Sequence, residues 1–314
     1  MRKILLLSIA LLTVVAIKAQ EVVRESYHYA THQEQRLYLD KYAVEDGSEE
    51  SRPALIFVFG GGFVRGERDN DYYVSFFERM ARAGMVVVSI DYRLGMKRIP
   101  EGVGLVDMIG LLDNAVTIAV EDLYAATCYV VDNSEKWGVD TTKIMISGSS
   151  AGAITALQAE WLRCNGAELA EVLPDDFRYA AVISCAGAIF STKGKPKFKG
   201  EPAPMLLFHG TSDSNVPYDK ASVMGVGFFG SKYVAEQLKR LDAPYYFYSA
   251  EYVDHSLAAT PLHDQCDLIL QFIDEYVVRG VRAQIKAEAI KCGAEKRDTH
   301  FSVKEYLSTN YRRE

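Results

Sequence analysis

A serine within a run of small residues is the strongest sign of chemistry in this 314-residue chain. Residues 148–152 read Gly-Ser-Ser-Ala-Gly, a G-x-S-x-G pattern with Ser150 at its centre. An apolar run, residues 143–147, precedes the pattern, and a helix-forming run, residues 153–162, follows it. A sharp turn between a strand and a helix needs small neighbours and leaves the serine side chain at its tip. Ser150 is therefore a candidate nucleophile, although so short a pattern also arises by chance.

A serine hydroxyl is a weak nucleophile at neutral pH, so it needs a base and the base needs an orienting acid. Residues 205–209 form an apolar strand that leads to Asp213, and residues 245–250 form another that leads to His255. Functional side chains of open α/β sheets gather at the carboxyl ends of strands. We therefore predict Asp213 as the acid and His255 as the base. Taken singly, each also fits an ordinary turn residue or a surface histidine.

Other histidines are weaker candidates for the base. His263 begins the last predicted helix, and His300 lies in the C-terminal tail. His209 ends the strand before the predicted acid. We expect His209 to hold the following loop by hydrogen bonding rather than to take part in the chemistry.

Apolar runs and helical repeats alternate along the chain. The predicted strands are residues 25–31, 36–43, 53–59, 85–90, 143–147, 179–185, 205–209 and 245–250. The predicted helices are residues 71–83, 116–136, 153–162, 231–241 and 262–278. Buried strands that alternate with helices predict an α/β fold whose mostly parallel central sheet has helices on both faces. The first two strands are more amphipathic and predict an antiparallel edge.

The N-terminal segment has the features of a secretory signal peptide. Basic residues precede the apolar residues 4–17, a run shorter than the ~20 residues of a spanning helix. We predict that residues 1–19 are removed and that the protein is exported to the periplasm or the medium; an uncleaved anchor is the alternative. Residues 20–280 then form one catalytic domain, and residues 281–314 form an extension that is either a surface helix or partly disordered.

Composition is that of an ordinary globular protein, with 49% hydrophobic and 25% charged residues. The formal net charge is −7, which disfavours nucleic acids as partners because these attract basic surfaces. The five cysteines are odd in number and show no metal-ligand spacing, so at least one stays free while one or two disulfides are possible. We expect no metal and no organic cofactor.

Several motifs occur in a fixed order through most of the chain. They are Phe-Gly-Gly-Gly-Phe at 59–63, Asp-Tyr-Arg-Leu at 91–94, Glu-Asp-Leu-Tyr-Ala-Ala at 121–126, Gly-Ser-Ser-Ala-Gly at 148–152, His-Gly-Thr-Ser-Asp at 209–213 and Asp-His at 254–255. Together they resemble the α/β-hydrolase superfamily, and within it the carboxylesterase and lipase-like branch that includes acetyl esterases and esterases of polysaccharide side chains. The resemblance implies Ser150 as nucleophile, His255 as base and Asp213 as acid. It also implies that Asp122 is a structural brace.

The glycine run after the strand at 53–59 predicts an oxyanion hole, because bare backbone amides can approach a reacting carbonyl closely. The resemblance implies that Gly61, Gly62 and Ala151 donate to the oxyanion. Phe59 stands where the H-G-G-G-type motif of that superfamily has histidine, so the usual brace of this loop is in doubt. Phosphate binding is the alternative use of such a loop, but no phosphate-loop pattern follows.

Two stretches predicted as loops lie on the same edge as Ser150, residues 186–204 and residues 214–230. The second is apolar and rich in glycine. We predict that Phe63, Phe228 and Phe229 line a pocket for the substrate, while packing of the loop on a neighbouring helix is an equally good explanation.

These features predict a secreted serine hydrolase that cleaves carboxylic esters through an acyl-enzyme. Its expected substrates are small acyl or aromatic esters of a small alcohol or a sugar, and no membrane span remains after cleavage of the signal. A peptidase of the same fold is one alternative, since the same three residues also cleave amides. A non-catalytic binding protein is a weaker one, because such proteins usually lose one of the three residues.

Overall fold

A computed structural model describes residues 21–45, 51–100, 102–299 and 301. The predicted signal peptide lies outside these described residues. The strands, in chain order, are β1 Val22–His32, β2 Gln35–Val44, β3 Arg52–Val58, β4 Val86–Ile90, β5 Val139–Ser149, β6 Ala181–Cys185, β7 Ala188–Ser191, β8 Met205–Gly210, β9 Lys220–Val223, β10 Val226–Gly230, β11 Tyr245–Ala250 and β12 Gln284–Ala289.

The α-helices are α1 Asp71–Arg82, α2 Leu105–Asp132, α3 Ser134–Trp137, α4 Ala151–Cys164, α5 Ser231–Arg240, α6 Pro261–Asp264 and α7 Cys266–Phe272. Two 3₁₀ turns span Glu168–Val172 and His255–Ala258, and a π-helical turn, Ile273–Val278, extends α7. The helix predicted at 116–136 begins earlier, at Leu105. The sequence did not reveal its first turns because they contain Gly110, and glycine usually weakens helices. Within the described ranges, no helix is long and apolar enough to cross a bilayer.

The central sheet runs in the order β1-β2-β4-β3-β5-β6-β8-β11-β12. The seven strands from β4 to β12 in this order are parallel to one another. Strand β2 is antiparallel to β4, and β1 is antiparallel to β2. Strands β4 and β6 are buried along their whole length, as strands covered on both faces must be. The predicted α/β class, the mostly parallel sheet and the antiparallel N-terminal edge are confirmed.

The two stretches predicted as loops supply a second, three-stranded sheet. It has the order β7-β10-β9, and both pairings are antiparallel. Met224, in the turn between β9 and β10, is 97% exposed, whereas Phe229 is fully buried where β10 pairs with β7. The sequence of β10, Val-Gly-Phe-Phe-Gly, does not predict a strand because glycine is depleted in strands.

The C-terminal extension contributes a strand, Gln284–Ala289, where the sequence left open a surface helix or partial disorder. Strand β12 pairs in parallel with β11, from Tyr245 opposite Gln284 to Ala250 opposite Ala289. The central sheet therefore extends beyond the domain boundary predicted at residue 280. Residues 302–314 lie outside the described part of the chain.

The five cysteines all lie within the described residues, and none forms a disulfide. Burial raises the pKa of the Cys128, Cys164 and Cys266 thiols above the usual value. Cys185 is fully buried, and its pKa is raised for the same reason. Thiols held in the protonated form are poor nucleophiles, so these four side chains are suited to packing.

A fully buried carboxylate joins three parts of the fold. Asp122 of α2 accepts hydrogen bonds from the backbone N–H of Arg93 (2.7 Å) and from its Nε (2.9 Å), just after β4. His32 at the end of β1 places its Nε2 3.0 Å from the same carboxylate. Burial raises the pKa of Asp122, against the opposing effect of Arg93 and His32. These contacts are consistent with the predicted role of a structural brace.

Replacement of Asp122 by alanine is expected to destabilise the fold by about 3 to 5 kcal/mol, because it leaves a mostly buried guanidinium without its main partner. The matched control is Glu121→Ala. Glu121 contacts the same guanidinium at 2.6 Å but is 38% exposed, so its loss should cost about 1 kcal/mol or less. Urea unfolding of both variants measures the difference, and equal losses would contradict the assigned brace.

Candidate functional site

Ser150 lies at the tip of a tight turn between β5 and α4. Its backbone has φ 51° and ψ −114°, a strained conformation for a residue with a side chain, and its N–H donates to Cys185 O at 2.9 Å. The flanking glycines leave no room for a methyl group. A Cβ at Gly148 would lie 2.3 Å from the Gly152 carbonyl carbon, and one at Gly152 would lie 2.0 Å from Val58 O. This crowding explains why the turn carries glycine on both sides of the serine.

A continuous chain of hydrogen bonds joins Ser150, His255 and Asp213. His255 Nε2 lies 2.8 Å from Ser150 Oγ, and His255 Nδ1 lies 2.7 Å from Asp213 Oδ2. The histidine side chain is 20% exposed, and the carboxylate is fully buried. A carboxylate acceptor at Nδ1 fixes the tautomer in which Nε2 is free to accept a proton from the serine. The structure therefore brings together the three residues predicted as nucleophile, base and acid.

The Asp213 carboxylate is held by four donors. Its Oδ1 accepts from the backbone N–H groups of Asn215 (2.8 Å) and Val216 (2.9 Å). Its Oδ2 accepts from His255 and lies 3.3 Å from Nε2 of His209. Burial opposes ionisation, but the hydrogen bonds from the two histidines outweigh it and hold the pKa of Asp213 well below its usual range. The acid is therefore ionised at neutral pH.

His209 has a place that the sequence indicated only in part. It is fully buried, its Nδ1 lies 2.8 Å from Ser231 Oγ, and its Nε2 lies 3.1 Å from Val216 O. These contacts hold the loop after β8, as predicted. Sequence reasoning missed that the same ring also approaches the carboxylate of Asp213. The spacing of four residues between the two was the only available signal.

The remaining candidate histidines do not reach the serine where they are described. His263 Nδ1 lies 3.4 Å from Ser75 Oγ, and its ring packs edge-on against Tyr72 at 4.3 Å. His300 lies outside the described residues. His255 is thus the histidine that the fold positions at the nucleophile.

The glycine loop after β3 passes beside the serine. A Cβ at Gly60 would lie 3.3 Å from Ser150 Cβ, so the backbone of this loop packs directly against the nucleophile. Gly61 and Gly62 have φ of +121° and +66°, which glycine adopts without strain. Among the described residues, their amides donate to no protein acceptor. Ala151, as the first residue of α4, also has an N–H without an intrahelical acceptor.

Phe59, which replaces the expected histidine of this loop, is braced by aromatic packing. Its ring lies 4.5 Å from the ring of Tyr92, and Tyr92 donates a hydrogen bond from its hydroxyl to Phe59 O at 3.1 Å. The loop is closed further on by the amides of Val64 and Arg65, which both donate to Gly61 O. A different set of contacts thus stabilises the glycine loop in the absence of the histidine.

An open cleft of about 1230 Å³ surrounds the serine. Its walls include the glycine loop, Asn70, Tyr72, Tyr73 and Ala258. The volume exceeds the usual range for small-molecule sites, so the cleft has room for an oligomeric ligand, such as one with more than one sugar residue.

The predicted lining of this cleft by three phenylalanines is wrong. Phe63 is 1% exposed and packs edge-on to Tyr92. Phe228 and Phe229 belong to β10, where they pack against Phe190 and Tyr233. None of the three lines the cleft. Pairing of β10 with β7 places Phe228 and Phe229 in the protein interior, a long-range contact that the sequence of the loop does not reveal.

Comparisons with known proteins find similarity in sequence over part of the chain and similarity in fold over most of it. The BD-FAE family model matches residues 39–189. Esterase 2 of the planctomycete Thermogutta terrifontis superposes with a TM-score of 0.59, covering 80% of this chain and 91% of its own at 22% identity. The chain has the fold of the α/β-hydrolase superfamily. The same neighbour, phosphorylated by paraoxon, superposes equally well at 23% identity over 82% of this chain and 94% of its own.

Among curated relatives, similarity in sequence is confined to part of each protein. The fumonisin B1 esterase of Sphingopyxis macrogoltabida is 32% identical over 143 residues, which cover 42% of this chain and 24% of that enzyme. Acetylcholinesterase of Gallus gallus is 32% identical over 117 residues, 37% of this chain and 14% of its own. The chain thus spans a quarter or less of the length of these relatives.

Proposed function

We propose that this α/β-hydrolase is a serine esterase that cleaves carboxylic esters through an acyl-enzyme. The observation that carries the proposal is the hydrogen-bonded chain from Asp213 through His255 to Ser150, beside a loop of glycine amides. A serine, an oriented base and amides aimed at one point are the parts that acyl transfer needs. The esterase names of several relatives support the same reaction class.

Acylation begins when Ser150 Oγ attacks the ester carbonyl carbon and His255 Nε2 takes the hydroxyl proton. Asp213 remains ionised and stabilises the imidazolium. The tetrahedral intermediate carries its negative charge on the former carbonyl oxygen, which accepts hydrogen bonds from the amides of Gly61, Gly62 and Ala151. The bond to the alcohol then breaks, and the alcohol leaves with the proton from His255.

Deacylation repeats these steps with water as the nucleophile. His255 removes a proton from the water, the hydroxide attacks the acyl carbon, and the same amides stabilise the second intermediate. The bond to Ser150 Oγ breaks, the serine recovers its proton from His255, and the carboxylic acid is released.

The substrates that we propose are small acyl or aromatic esters, including esters on sugars. The large open cleft and its Tyr72 and Tyr73 side chains support a substrate with more than a short acyl chain. Export by a signal peptide over residues 1–19 is part of the proposal and rests on the sequence of that segment.

The reaction class is tested with purified protein on short-chain 4-nitrophenyl esters and on an aminoacyl nitroanilide. We expect turnover of the esters and little or none of the anilide. Turnover of the anilide alone would replace the esterase by a peptidase, and inertness towards both would point to a binding protein.

A covalent probe identifies the nucleophile independently of turnover. Paraoxon should release one equivalent of 4-nitrophenol and leave a diethylphosphoryl group on Ser150, found by mass spectrometry of the peptide that contains residues 148–152. A label on another residue would overturn the assignment of the nucleophile.

A further inference from the structure

A second cavity, of about 610 Å³, adjoins the cleft around the serine. The two cavities share Phe59 and Gly66 as lining residues. Phe59 directly precedes the glycine loop, so the shared wall is the outer side of the loop that touches Ser150. The function described above leaves this cavity without a role.

Three cations line the second cavity, Arg36, Lys97 and Arg98, and all are exposed. Within the described chain, none of them forms an ion pair. This differs from most of the other arginines, such as Arg93 and Arg163, which contact carboxylates. The charges are therefore available to a ligand.

Acidic groups near the two cavities do not cancel this charge. The acid of the second cavity, Asp91, is neutralised by Arg68 at 2.9 Å. The cleft itself carries one exposed acid, Glu67, and one exposed base, Arg65. A net positive field thus remains at the second cavity of a chain whose formal net charge is −7.

The topology sets the spacing of the strand ends that carry the two sites. Residues 91–98 follow β4, and Ser150 follows β5, with β3 between the two strands. Neighbouring strands are about 4.8 Å apart, so the ends of β4 and β5 are separated by roughly 10 Å. This is the distance to a neighbouring unit of an oligomeric substrate, beyond the reach of the ester group itself.

We propose that the cavity lined by Arg36, Lys97 and Arg98 binds an anionic group, a carboxylate or a sulfate, carried by the alcohol part of the ester. The inference rests on the proposed esterase function and gives its substrate class: an acylated acidic saccharide. Elsewhere the negative protein repels such a polymer, so these cations also orient it towards the cleft.

The test uses the full-length protein and compares two substrates that differ in charge alone. One is an acetylated oligogalacturonate, and the other is the same oligosaccharide with its carboxylates converted to carboxamides. We expect kcat/KM to be about tenfold higher for the anionic substrate at low ionic strength, as three exposed charge contacts allow. Raising the salt from about 0.05 M to about 0.5 M should remove most of the preference. A sulfated, acetylated oligosaccharide shows whether sulfate is taken equally well.

The triple variant Arg36→Gln, Lys97→Gln, Arg98→Gln should reduce the ratio of anionic to neutral kcat/KM to near one. Arg36→Lys with Arg98→Lys keeps the charge and should keep the preference. The control variant Lys193→Gln, Lys195→Gln, Lys199→Gln removes three exposed cations that line neither cavity. This variant should also keep the preference for the anionic substrate.

Two outcomes separate the inference from the function on which it rests. A wild-type ratio near one, or a ratio that the triple glutamine variant leaves unchanged, overturns the anionic site while turnover of nitrophenyl esters upholds the esterase. Absence of turnover with every ester overturns the esterase function, and with it the inference.

Discussion

Replacement of Ser150 by alanine is expected to lower kcat for a 4-nitrophenyl ester by at least about 10⁴-fold, and by up to about 10⁶-fold. The variant lacks the oxygen that forms the acyl-enzyme, so His255 has no serine proton to remove. The glycine amides remain, and they leave a small residual rate over water. The same variant should take no label from paraoxon.

The fold should not respond to this change. Alanine has the same Cβ as serine, so the strained backbone at φ 51° is neither relieved nor worsened. The melting temperature is therefore expected to stay within about 2 °C of wild type. A large drop in melting temperature would mean that the lost activity reports unfolding rather than chemistry.

The neighbouring serine of the same pattern is the matched control. Ser149 is the last residue of β5 and is 3% exposed, while the hydrogen bond to His255 comes from Ser150. Ser149→Ala should therefore change kcat by less than about tenfold. If the two alanine variants lost activity equally, or if only Ser149→Ala did, the wrong serine would have been assigned.

The sequence predicted those parts of the fold that carry a local signal. Strand β4, Val86–Ile90, was predicted to within one residue because a strand buried on both faces has a nearly continuous apolar sequence. The Ser150 turn was found for a similar reason, since its crowding admits only small residues and leaves a readable motif. The order of strand ends then predicted which acid and which histidine would lie beside it.

Other parts of the molecule depend on contacts that no local pattern records. Strand β10 exists because Phe228 and Phe229 pair with Phe190 and Ile189, a segment far away in the sequence. A glycine-rich apolar loop and a glycine-rich apolar strand look alike until the partner strand is known. The predicted pocket contact of Phe228 and Phe229 was wrong for this reason. The predicted nucleophile, base and acid follow strand ends, and the structure places their side chains in contact.

The second cavity is another feature that depends on contacts between distant parts of the sequence. Arg36 lies 61 residues before Lys97 in the sequence, and each is an ordinary exposed cation on its own. Antiparallel pairing of β2 with β4 brings them to one edge of the sheet. The proposed specificity therefore depends on the strand order, which the sequence predicts only in outline.

Replacement of Asp213 by asparagine is expected to lower kcat by about 10⁴-fold, the effect known for loss of the acid in such a triad. The surroundings of Asp213 make the change severe. One carboxylate oxygen faces two backbone donors, and the other faces His255 and His209. In either orientation the NH₂ group of asparagine meets a donor, so the variant cannot hold His255 in the required tautomer.

The same variant should change how stability depends on pH. The folded-state pKa of Asp213 lies below its unfolded value of about 3.9, so the ionised carboxylate stabilises the fold above that pH. That stability is lost as the pH falls through the folded pKa. The asparagine side chain of the variant does not titrate. Urea unfolding between about pH 5 and pH 2 should therefore show a shallower loss of stability for Asp213→Asn than for wild type.

Asp254→Asn is the control, because Asp254 directly precedes the same histidine. Its Oδ1 accepts from the N–H of Ser256 at 3.1 Å, and its Oδ2 contacts the exposed Arg297 at 2.6 Å. An asparagine oxygen can keep the first of these bonds, and the second is a surface ion pair worth about 1 kcal/mol or less. We expect kcat to change less than about fivefold. A loss for Asp254→Asn as large as that for Asp213→Asn would mean that the position of the loop, rather than the acid that orients His255, limits the reaction.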